Sequence, residues 1–316
     1  MYINMKRHFV LWLSGWFILL GMKVSAQQIP ISSIFMENPF AFNPAVAGTE
    51  SGLDKGFRVK LNSRMQWLGF NDAPFTNQLS AFGPHKTRPI GYGGNIVQDK
   101  TGPTSTFKVN GAFSTNFAVS FDMRISLALN LGFLQYRADG TQFEFVDGID
   151  DPFVKNAMMS SFQPDAGAGV YVYHHDWYFG LSAQQLFNNN VKLVSNGENS
   201  KRNRLKPHFF GYAGYKFQEV NQRWIIEPSI LAKQVVGLPL QMDFCGRVIY
   251  RKQFWGGISA RNTFESFDNL NLVFGYIHEQ RISISMAFDF SFAQIRNYSA
   301  GTIELVFGYK FDTYGR

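Results

Sequence analysis

Three stretches of this chain combine residue types that can do chemistry, and each is incomplete as a site. His174 to Asp176 has the composition of a ligand or acid/base cluster, but three adjacent side chains in a tight turn point apart, which favours a polar hairpin turn. Asp150 and Asp151 supply two carboxylates, whereas Ca²⁺ takes about six to eight oxygens. Gly91 to Gly94 lacks the following Lys-Ser/Thr of a phosphate-binding loop. The sequence therefore predicts a non-enzymatic protein without a cofactor or metal centre.

Two connecting segments, Arg64 to Thr76 and Asp99 to Thr104, combine rigid turn residues with large or charged side chains. Their candidate functional residues are Arg64, Gln66, Trp67, Gly69, Pro74, Asp99, Gly102 and Pro103. Trp and Arg often anchor protein interfaces, so one interpretation is a binding site for a partner. The alternative is a structural role, in which Arg64 and Asp99 pair and hold the loops folded.

β-Strands must position these segments, because apolar and polar residues alternate along most of the chain. The alternation is clearest from Ile125 to Phe133. Fourteen strands are predicted, at residues 56–62, 75–82, 90–98, 105–117, 125–133, 165–173, 177–184, 208–217, 223–233, 240–250, 254–261, 270–278, 281–290 and 300–311. Pro228 lies inside the ninth, and a β-bulge is expected there because proline cannot donate to a strand ladder.

Two architectures are open to such a chain, an outer-membrane barrel and a large soluble β-sandwich or propeller. The 33 phenylalanines and 16% aromatic residues need an apolar environment, yet the mean hydropathy is −0.13. A barrel resolves this conflict, because half of each strand's side chains face lipid and half face a polar lumen. We therefore predict a single antiparallel transmembrane β-barrel of about 14 strands.

Short connections at 174–176, 251–253 and 279–280 alternate with long ones at 137–164, 185–207 and 262–269. Short turns of bacterial barrels are periplasmic, so both termini are predicted to be periplasmic and the two candidate segments to lie outside the cell. In the fifth strand, Leu127, Leu129 and Leu131 are expected to face lipid, and Ser126, Ala128 and Asn130 to face the lumen.

The charges predicted to face the lumen have both signs: Arg58, Lys60, Lys108, Glu227, Asp243, Arg247, Glu304 and Lys310. They are expected either to pair and fill a narrow pore or, if one sign dominates a constriction, to make a selective channel. The net charge of +7 includes no long basic run, the densest cluster being Lys201 to Arg204, so nucleic acid is not an expected partner. Cys245 is the only cysteine and has no internal disulfide partner.

The N-terminal region has the layout of a secretory signal peptide. A basic start, Met5 to His8, precedes an apolar run from Phe9 to Leu20, and Ala26 suits cleavage. The run is too short to span a bilayer as a helix. The predicted divisions are a signal peptide at 1–26, a periplasmic lead-in or plug segment at 27–55 and the outer-membrane β-barrel at 56–316.

A set of short motifs runs through the chain in a fixed order. It consists of Asn43 to Gly48, Arg64, Gln66-Trp67, Gly69, Ala73 to Thr76, Gly91 to Gly94, Asp99, Gly102-Pro103, Pro164 to Val170, Tyr178 to Ser182, and Phe254 to Gly257 with Arg261. Over nearly the whole mature chain, the set resembles the PorP/SprF family of Bacteroidetes outer-membrane proteins, which is linked to type IX secretion and gliding motility. Gln185-Leu186 and residues 280–290 depart from the family's pattern.

The resemblance implies a role in protein secretion: helping to secrete, capture or anchor cargo, such as adhesins or gliding-related surface proteins, through C-terminal sorting domains. The implied partners are outer-membrane lipid, secreted cargo and periplasmic components of the type IX secretion system. The alternative function is an outer-membrane porin or uptake channel for a small solute. An outer-membrane hydrolase is a third class, for which the sequence offers no catalytic site.

Overall fold

The alternation of apolar and polar residues produces fourteen antiparallel strands. The computed structural model describes residues 32–49, 56–142, 158–189, 204–219, 221, 223–263, 266–292 and 294–312. The strands are β1 (Gly56–Met65), β2 (Phe75–Pro84), β3 (Ile90–Thr101), β4 (Thr104–Ala118), β5 (Arg124–Asp139), β6 (Met158–Tyr173), β7 (Trp177–Gln184), β8 (His208–Tyr215), β9 (Trp224–Val235), β10 (Gln241–Tyr250), β11 (Phe254–Thr263), β12 (Ser266–His278), β13 (Ile282–Ser291) and β14 (Thr302–Asp312). A two-residue segment, Phe217–Gln218, continues β8 beyond Lys216 and pairs with β9.

The sheet closes on itself, because each strand pairs with its neighbours in sequence and β14 pairs with β1. This seam runs from Gly56 opposite Asp312 to Met65 opposite Ile303. Closure removes the sheet edges, so the backbone N–H and C=O groups are satisfied within the barrel. The predicted 14-stranded antiparallel barrel is confirmed. No helix among the described residues is long and apolar enough to cross a membrane.

The side chains of β5 alternate between the two faces of the barrel wall as predicted. Leu127, Leu129 and Leu131 are 42%, 66% and 66% exposed, whereas Ser126, Ala128 and Asn130 are 0%, 7% and 5% exposed. This is the pattern of an apolar outer surface around a polar lumen. The predicted faces of this strand are confirmed.

Several strands are longer than the sequence pattern predicts. β1 reaches Met65 rather than Asn62, and β3 reaches Thr101 rather than Gln98. Arg64 and Asp99 therefore lie in strands and not in connecting loops, which corrects the prediction from the sequence. The reason is that strand ends extend past the apolar band of the barrel, so both faces carry polar residues there and the alternation fades.

The predicted bulge at Pro228 is wrong. Ser229 pairs with Gly214 and Ile226 with Phe217, so the register between β8 and β9 is the same on both sides of the proline. Proline has no backbone N–H to donate to the neighbouring strand. At Pro228 this is tolerated because β8 is itself interrupted opposite the proline, between Tyr215 and Phe217. A register shift lies instead in β11, after Arg261.

We name the two ends of the barrel by what they carry. The loop end carries the β1–β2, β3–β4 and β13–β14 connections, and the base carries Gly56, Asp312 and the turn at 174–176. The lumen segment, residues 32–49, runs from one end to the other. Ser32 and Ser33 donate hydrogen bonds to Glu304 near the loop end. Near the base, the carbonyl of Gly48 accepts a hydrogen bond from the Asn116 amide.

The lumen segment folds into three 3₁₀ turns, Phe35–Glu37, Pro39–Ala41 and Pro44–Gly48. Its apolar side chains form the core of the molecule inside the lumen, together with inward-facing aromatic residues of the wall. Phe40, for example, stacks on Phe82 with ring centroids 4.6 Å apart. Filling of this kind places the main apolar core within the bore of the barrel.

Gly91 lies where the lumen segment meets the wall near the base. A Cβ atom on Gly91 would collide with the backbone of Gly48, so the contact requires a residue without a side chain. This close approach explains a glycine in the 91–94 stretch and agrees with a structural role for it.

Six of the inward-facing charges, Lys60, Lys108, Glu227, Asp243, Arg247 and Glu304, form ion pairs with other wall residues or with the lumen segment, which supports the first of the two expectations for them. Ion pairs join Lys60 to Glu37 (3.2 Å), Arg247 to Glu37 (2.8 Å), Arg247 to Glu227 (3.0 Å), Lys108 to Asp165 (2.7 Å) and Arg261 to Asp243 (2.7 Å). The predicted signal peptide, Asp150-Asp151 and residues 201–203 lie outside the described residues.

Candidate functional site

Arg64 is the centre of a buried ionic cluster at the loop end. Its guanidinium donates to Asp289 at 2.6 Å, to Glu304 at 2.9 Å and to the Ser33 hydroxyl at 3.0 Å, and the side chain is 3% exposed. The cluster ties β1, β13, β14 and the lumen segment together. The pairing of Arg64 with Asp99, which the structural alternative included, is not formed, since Arg64 points across the barrel seam towards β13.

Trp67 occupies a loop that is fixed to its neighbours through the backbone. The residue itself has a positive φ of 57°, and Gly69 follows with a φ of 89°. The Trp67 N–H donates to the Thr302 hydroxyl at 3.2 Å, and Leu68 exchanges two backbone hydrogen bonds with residues 300 and 301. The β1–β2 loop is therefore held against the β13–β14 connection.

Gln66 and Pro74 close the same loop, because the Gln66 N–H donates to the Pro74 carbonyl at 2.9 Å. This bond joins the two residues that flank the connection between β1 and β2. Together with the left-handed backbone at Gly69, it gives the loop a defined shape. These contacts agree with the structural alternative for Gln66, Gly69 and Pro74.

The β3–β4 connection is a two-residue turn made by Gly102 and Pro103. Gly102 has a φ of 54°, which suits the first central position of a tight hairpin turn. The Gly102 N–H donates to the Asp72 carbonyl at 3.1 Å, so this turn is also joined to the β1–β2 loop. Asp99 lies below the turn on β3, where its carboxylate accepts a hydrogen bond from the Thr76 hydroxyl at 2.5 Å.

Two cavities open at the loop end, and they divide the candidate residues between them. The mouth cavity, of about 50 Å³, is lined by Ser32, Ala41, Phe42, Asn62, Arg64, Thr76, Gln78, Asn95, Val97, Asp99, Thr106, Lys108, Leu134, Gln184 and Gln185. The tryptophan cavity, of about 130 Å³, is lined by Trp67, Asn269, Asp289, Phe290, Ser291, Arg296, Ser299, Ala300, Gly301 and Thr302. Arg64 and Asp99 share the first cavity, and Trp67 belongs to the second.

The His174 to Asp176 turn lies at the base, far along the strands from both cavities. The His175 ring lies 2.8 Å from the Asp176 carboxylate, and the His174 ring stacks on Trp177. The hydrogen bond with His175 lowers the pKa of Asp176, so this exposed carboxylate stays ionised. Across the described ranges, no group of three or more His, Cys, Asp or Glu side chains is arranged to hold a metal ion. The turn is a polar hairpin, as the sequence favours.

Asp289, Thr302 and Gln185 belong to the loop-end site, although the sequence motifs did not identify them. Asp289 is an isolated acidic residue at an inward position of a strongly apolar strand, and that placement is a signal that could have identified it. Thr302 and Gln185 carry no comparable signal, because their contacts depend on where the loops meet.

Comparison with known families decides where this barrel belongs. Residues 24–309 match the family described as "Type IX secretion system membrane protein PorP/SprF". The chain belongs to the PorP/SprF family. This PorP/SprF protein is accordingly a membrane protein of the type IX secretion system with an outer-membrane β-barrel fold. No curated protein shows significant sequence similarity to it.

Solved structures resemble this PorP/SprF barrel in fold. The CymD monoaromatic hydrocarbon channel is 12% identical, with a TM-score of 0.54 over 91% of this chain and 94% of its own. A TodX monoaromatic hydrocarbon channel mutant is 8% identical, with a TM-score of 0.51 over 85% of this chain and 93% of its own. At these identities the likeness concerns the barrel architecture alone.

Proposed function

We propose that this PorP/SprF barrel is a non-enzymatic outer-membrane component that helps to secrete, capture or anchor cargo proteins through their C-terminal sorting domains. The cargo class is adhesins, gliding-related proteins or other surface proteins. Membership of the family supports the secretory setting. The proposed cargo-handling role rests on the filled lumen, because a bore occupied by the protein's own chain suits a docking platform better than an open pore.

The filling is both apolar and ionic. Apolar side chains of the lumen segment pack against the wall, and Glu37 joins Lys60 of β1 to Arg247 of β10. Because β1 and β10 are separated in the sheet, this carboxylate connects separate parts of the wall through the centre of the bore. Because the lumen segment contacts the wall at several levels along the bore, we expect the barrel to conduct little ion current at rest.

The loop end offers the surface on which cargo would dock. Phe70, Phe187 and Tyr298 are 48%, 53% and 74% exposed there, all in connections between strands. Exposed aromatic side chains on loops with a fixed backbone are suited to interface anchors, since little ordering accompanies binding. Arg64 is too deeply buried to touch a partner directly. Its proposed role is to position the loops that carry the anchors.

The proposed topology follows from the same arrangement. Residues 1–26 serve as the signal peptide, Gln27 begins the mature chain, and residues 27–55 are the lead-in or plug before the barrel at 56–316. The base faces the periplasm and meets periplasmic components of the secretion system, and the loop end faces outwards. Mass spectrometry of the N-terminus and protease accessibility of the 140–157 connection in intact cells test these assignments.

The decisive experiment measures cargo on the cell surface. The gene is deleted and complemented with the natural protein, with Trp67→Ala/Phe70→Ala, or with the base variant Trp224→Ala as matched control. Heat-modifiable gel mobility confirms that each barrel is folded. Loss of surface cargo in the deletion and in the loop-end variant, with normal cargo in the control, is expected. Normal surface cargo in the deletion strain would rule out the secretory role.

A channel for a small solute is the second candidate function. It draws on CymD and TodX, which share the barrel architecture and are themselves described as monoaromatic hydrocarbon channels. Planar-bilayer recordings and uptake into liposomes separate the two functions. A silent barrel without solute uptake favours cargo docking, whereas steady conductance or saturable uptake by the natural protein favours the channel.

A further inference from the structure

The mouth cavity has an apolar wall and a polar wall that face the same small space. Phe42, Val97 and Leu134 contribute the apolar part, and Asp99 and Gln185 contribute to the polar part. A volume of about 50 Å³ admits a few water molecules or one small polar head. A ligand with an aliphatic stem and a polar end matches this division.

Gln185 is held in an unusual state at this cavity. Its side chain is 2% exposed, and neither of its polar atoms has a hydrogen-bond partner among the described residues. Its backbone also has a positive φ of 58°. A buried amide without partners and a left-handed backbone at a non-glycine residue are both costly, and such features concentrate at ligand sites.

The charges around the cavity favour a cation. Arg64 is paired with Asp289 and Glu304, and Lys108 is paired with Asp165. The two cationic side chains that line the cavity, Arg64 and Lys108, are therefore paired with three carboxylates. Asp99 adds a fourth carboxylate, which these two cations do not pair with. Within the described part of the chain, the half-buried Asp99 carboxylate has no cation within ion-pair distance, and the Thr76 hydroxyl is its side-chain donor.

We propose that the mouth cavity binds an alkylammonium group, supplied by a lysine side chain of a docking protein or by a free primary amine. The ammonium donates hydrogen bonds to the Asp99 carboxylate and to the side-chain amide oxygen (Oε1) of Gln185. The aliphatic stem lies along Phe42 and Leu134, as lysine stems commonly lie along apolar surface. The proposal rests on the cavity itself and goes beyond the secretory role, so it can be tested on the purified barrel.

The test uses the full mature chain in lipid nanodiscs and saturation-transfer NMR. The probes are Nα-acetyl-lysine N-methylamide, its norleucine and glutamate counterparts, n-butylamine and the peptide Ala-Ala-Lys-Ala-Ala. The lysine probe is expected to bind and the norleucine and glutamate probes are not. Asp99→Asn and Gln185→Leu are each expected to weaken lysine binding about tenfold or more. Asp72→Asn, an exposed loop carboxylate outside the cavity, is the matched control and should bind as the natural protein does.

Several results would overturn the proposal: no binding of the lysine probe, equal binding of the norleucine or glutamate probe, or full affinity in both folded cavity variants. Gel mobility verifies folding, and the two variants lie in different parts of the barrel, Asp99 on β3 and Gln185 just after β7, so a folding failure in one leaves the other informative. Comparison of n-butylamine with the peptide Ala-Ala-Lys-Ala-Ala identifies the source of the ammonium group. Tighter binding of the peptide than of butylamine assigns the ammonium to a docked protein, and equal binding assigns it to a free amine.

Discussion

Arg64 of β1 and Asp289 of β13 form an ion pair of 2.6 Å that spans β14, the strand between them. The pair also separates the two cavities of the loop end, because Arg64 lines the mouth cavity and Asp289 lines the tryptophan cavity. One buried interaction thus contributes to the walls of both cavities, and the same guanidinium holds Ser33 of the lumen segment.

Loss of this arginine should destabilise the barrel strongly. Arg64→Met leaves Asp289 and Glu304 buried without their cation, and breaking a buried pair in this way costs about 3–5 kcal/mol. Urea unfolding of the barrel in lipid vesicles measures the change in the free energy of unfolding. Arg137→Met, at an exposed arginine of β5, is the control and should change it little. Equal losses in both variants would contradict the structural importance of the cluster.

The outer face of β5 should not accept a charge. Leu129→Arg is expected to lower the free energy of unfolding by about 2–4 kcal/mol, the cost of arginine near the middle of the bilayer. Phe121 lies in the β4–β5 turn at the base and is 100% exposed, so Phe121→Arg is the matched control. The same vesicle titration compares the two variants. A tolerated arginine at position 129 would place that residue outside the apolar band.

A side chain at Gly91 should dislodge the lumen segment. Gly91→Val places atoms where the backbone of Gly48 lies, so the end of the segment must move away from the wall. Planar-bilayer recordings are expected to show conductance above that of the natural barrel. The control is Gly111→Val, since a Cβ atom at Gly111 meets nothing within 4 Å. Unchanged conductance in folded Gly91→Val would show that the filling survives without this contact.

Glu37 should hold the middle of the lumen segment in place. Glu37→Gln removes the carboxylate that joins Lys60 to Arg247, leaving Arg247 with Glu227 alone. Faster amide hydrogen exchange is expected in residues 34–47, while exchange in β5 stays the same. Mass spectrometry of exchanged peptides measures both regions in one experiment. Uniform acceleration through the whole barrel would instead indicate general destabilisation.

Much of the wall could be predicted from the sequence, because side-chain alternation is a local property. Leu127 to Leu131 predict their own strand and faces without knowledge of any partner. The strand ends at Arg64 and Asp99 could not be placed, since beyond the apolar band a lumen-facing charge looks like a loop residue. The bulge predicted at Pro228 was wrong because its cause is also non-local. The absence of a proline N–H needs no bulge when β8 is interrupted opposite it, and the sequence of β9 does not show that interruption.

The loop-end site was predictable in its residues and not in its contacts. Trp67, Gly69, Gly102 and Asp99 all lie at this end, and the motif order identified them. The two carboxylate partners of Arg64, Asp289 and Glu304, are more than 200 positions away in the sequence, and they meet it only when the seam between β1 and β14 is closed. Gln185 is distinguished by its burial, its unpartnered side-chain amide and its positive φ, none of which a local sequence pattern reveals.

The direction of the lumen segment sets an order for assembly. Ser32 lies near the loop end, yet β1 starts at the base, so the chain passes down the bore before its first strand turns back up the wall. A finished cylinder would have to be threaded to reach that state, whereas an unclosed sheet can simply wrap around the segment. We therefore expect β1 to pair with β14 last, around a lumen segment already in place, with Arg64 joining the two sides of the seam as it forms.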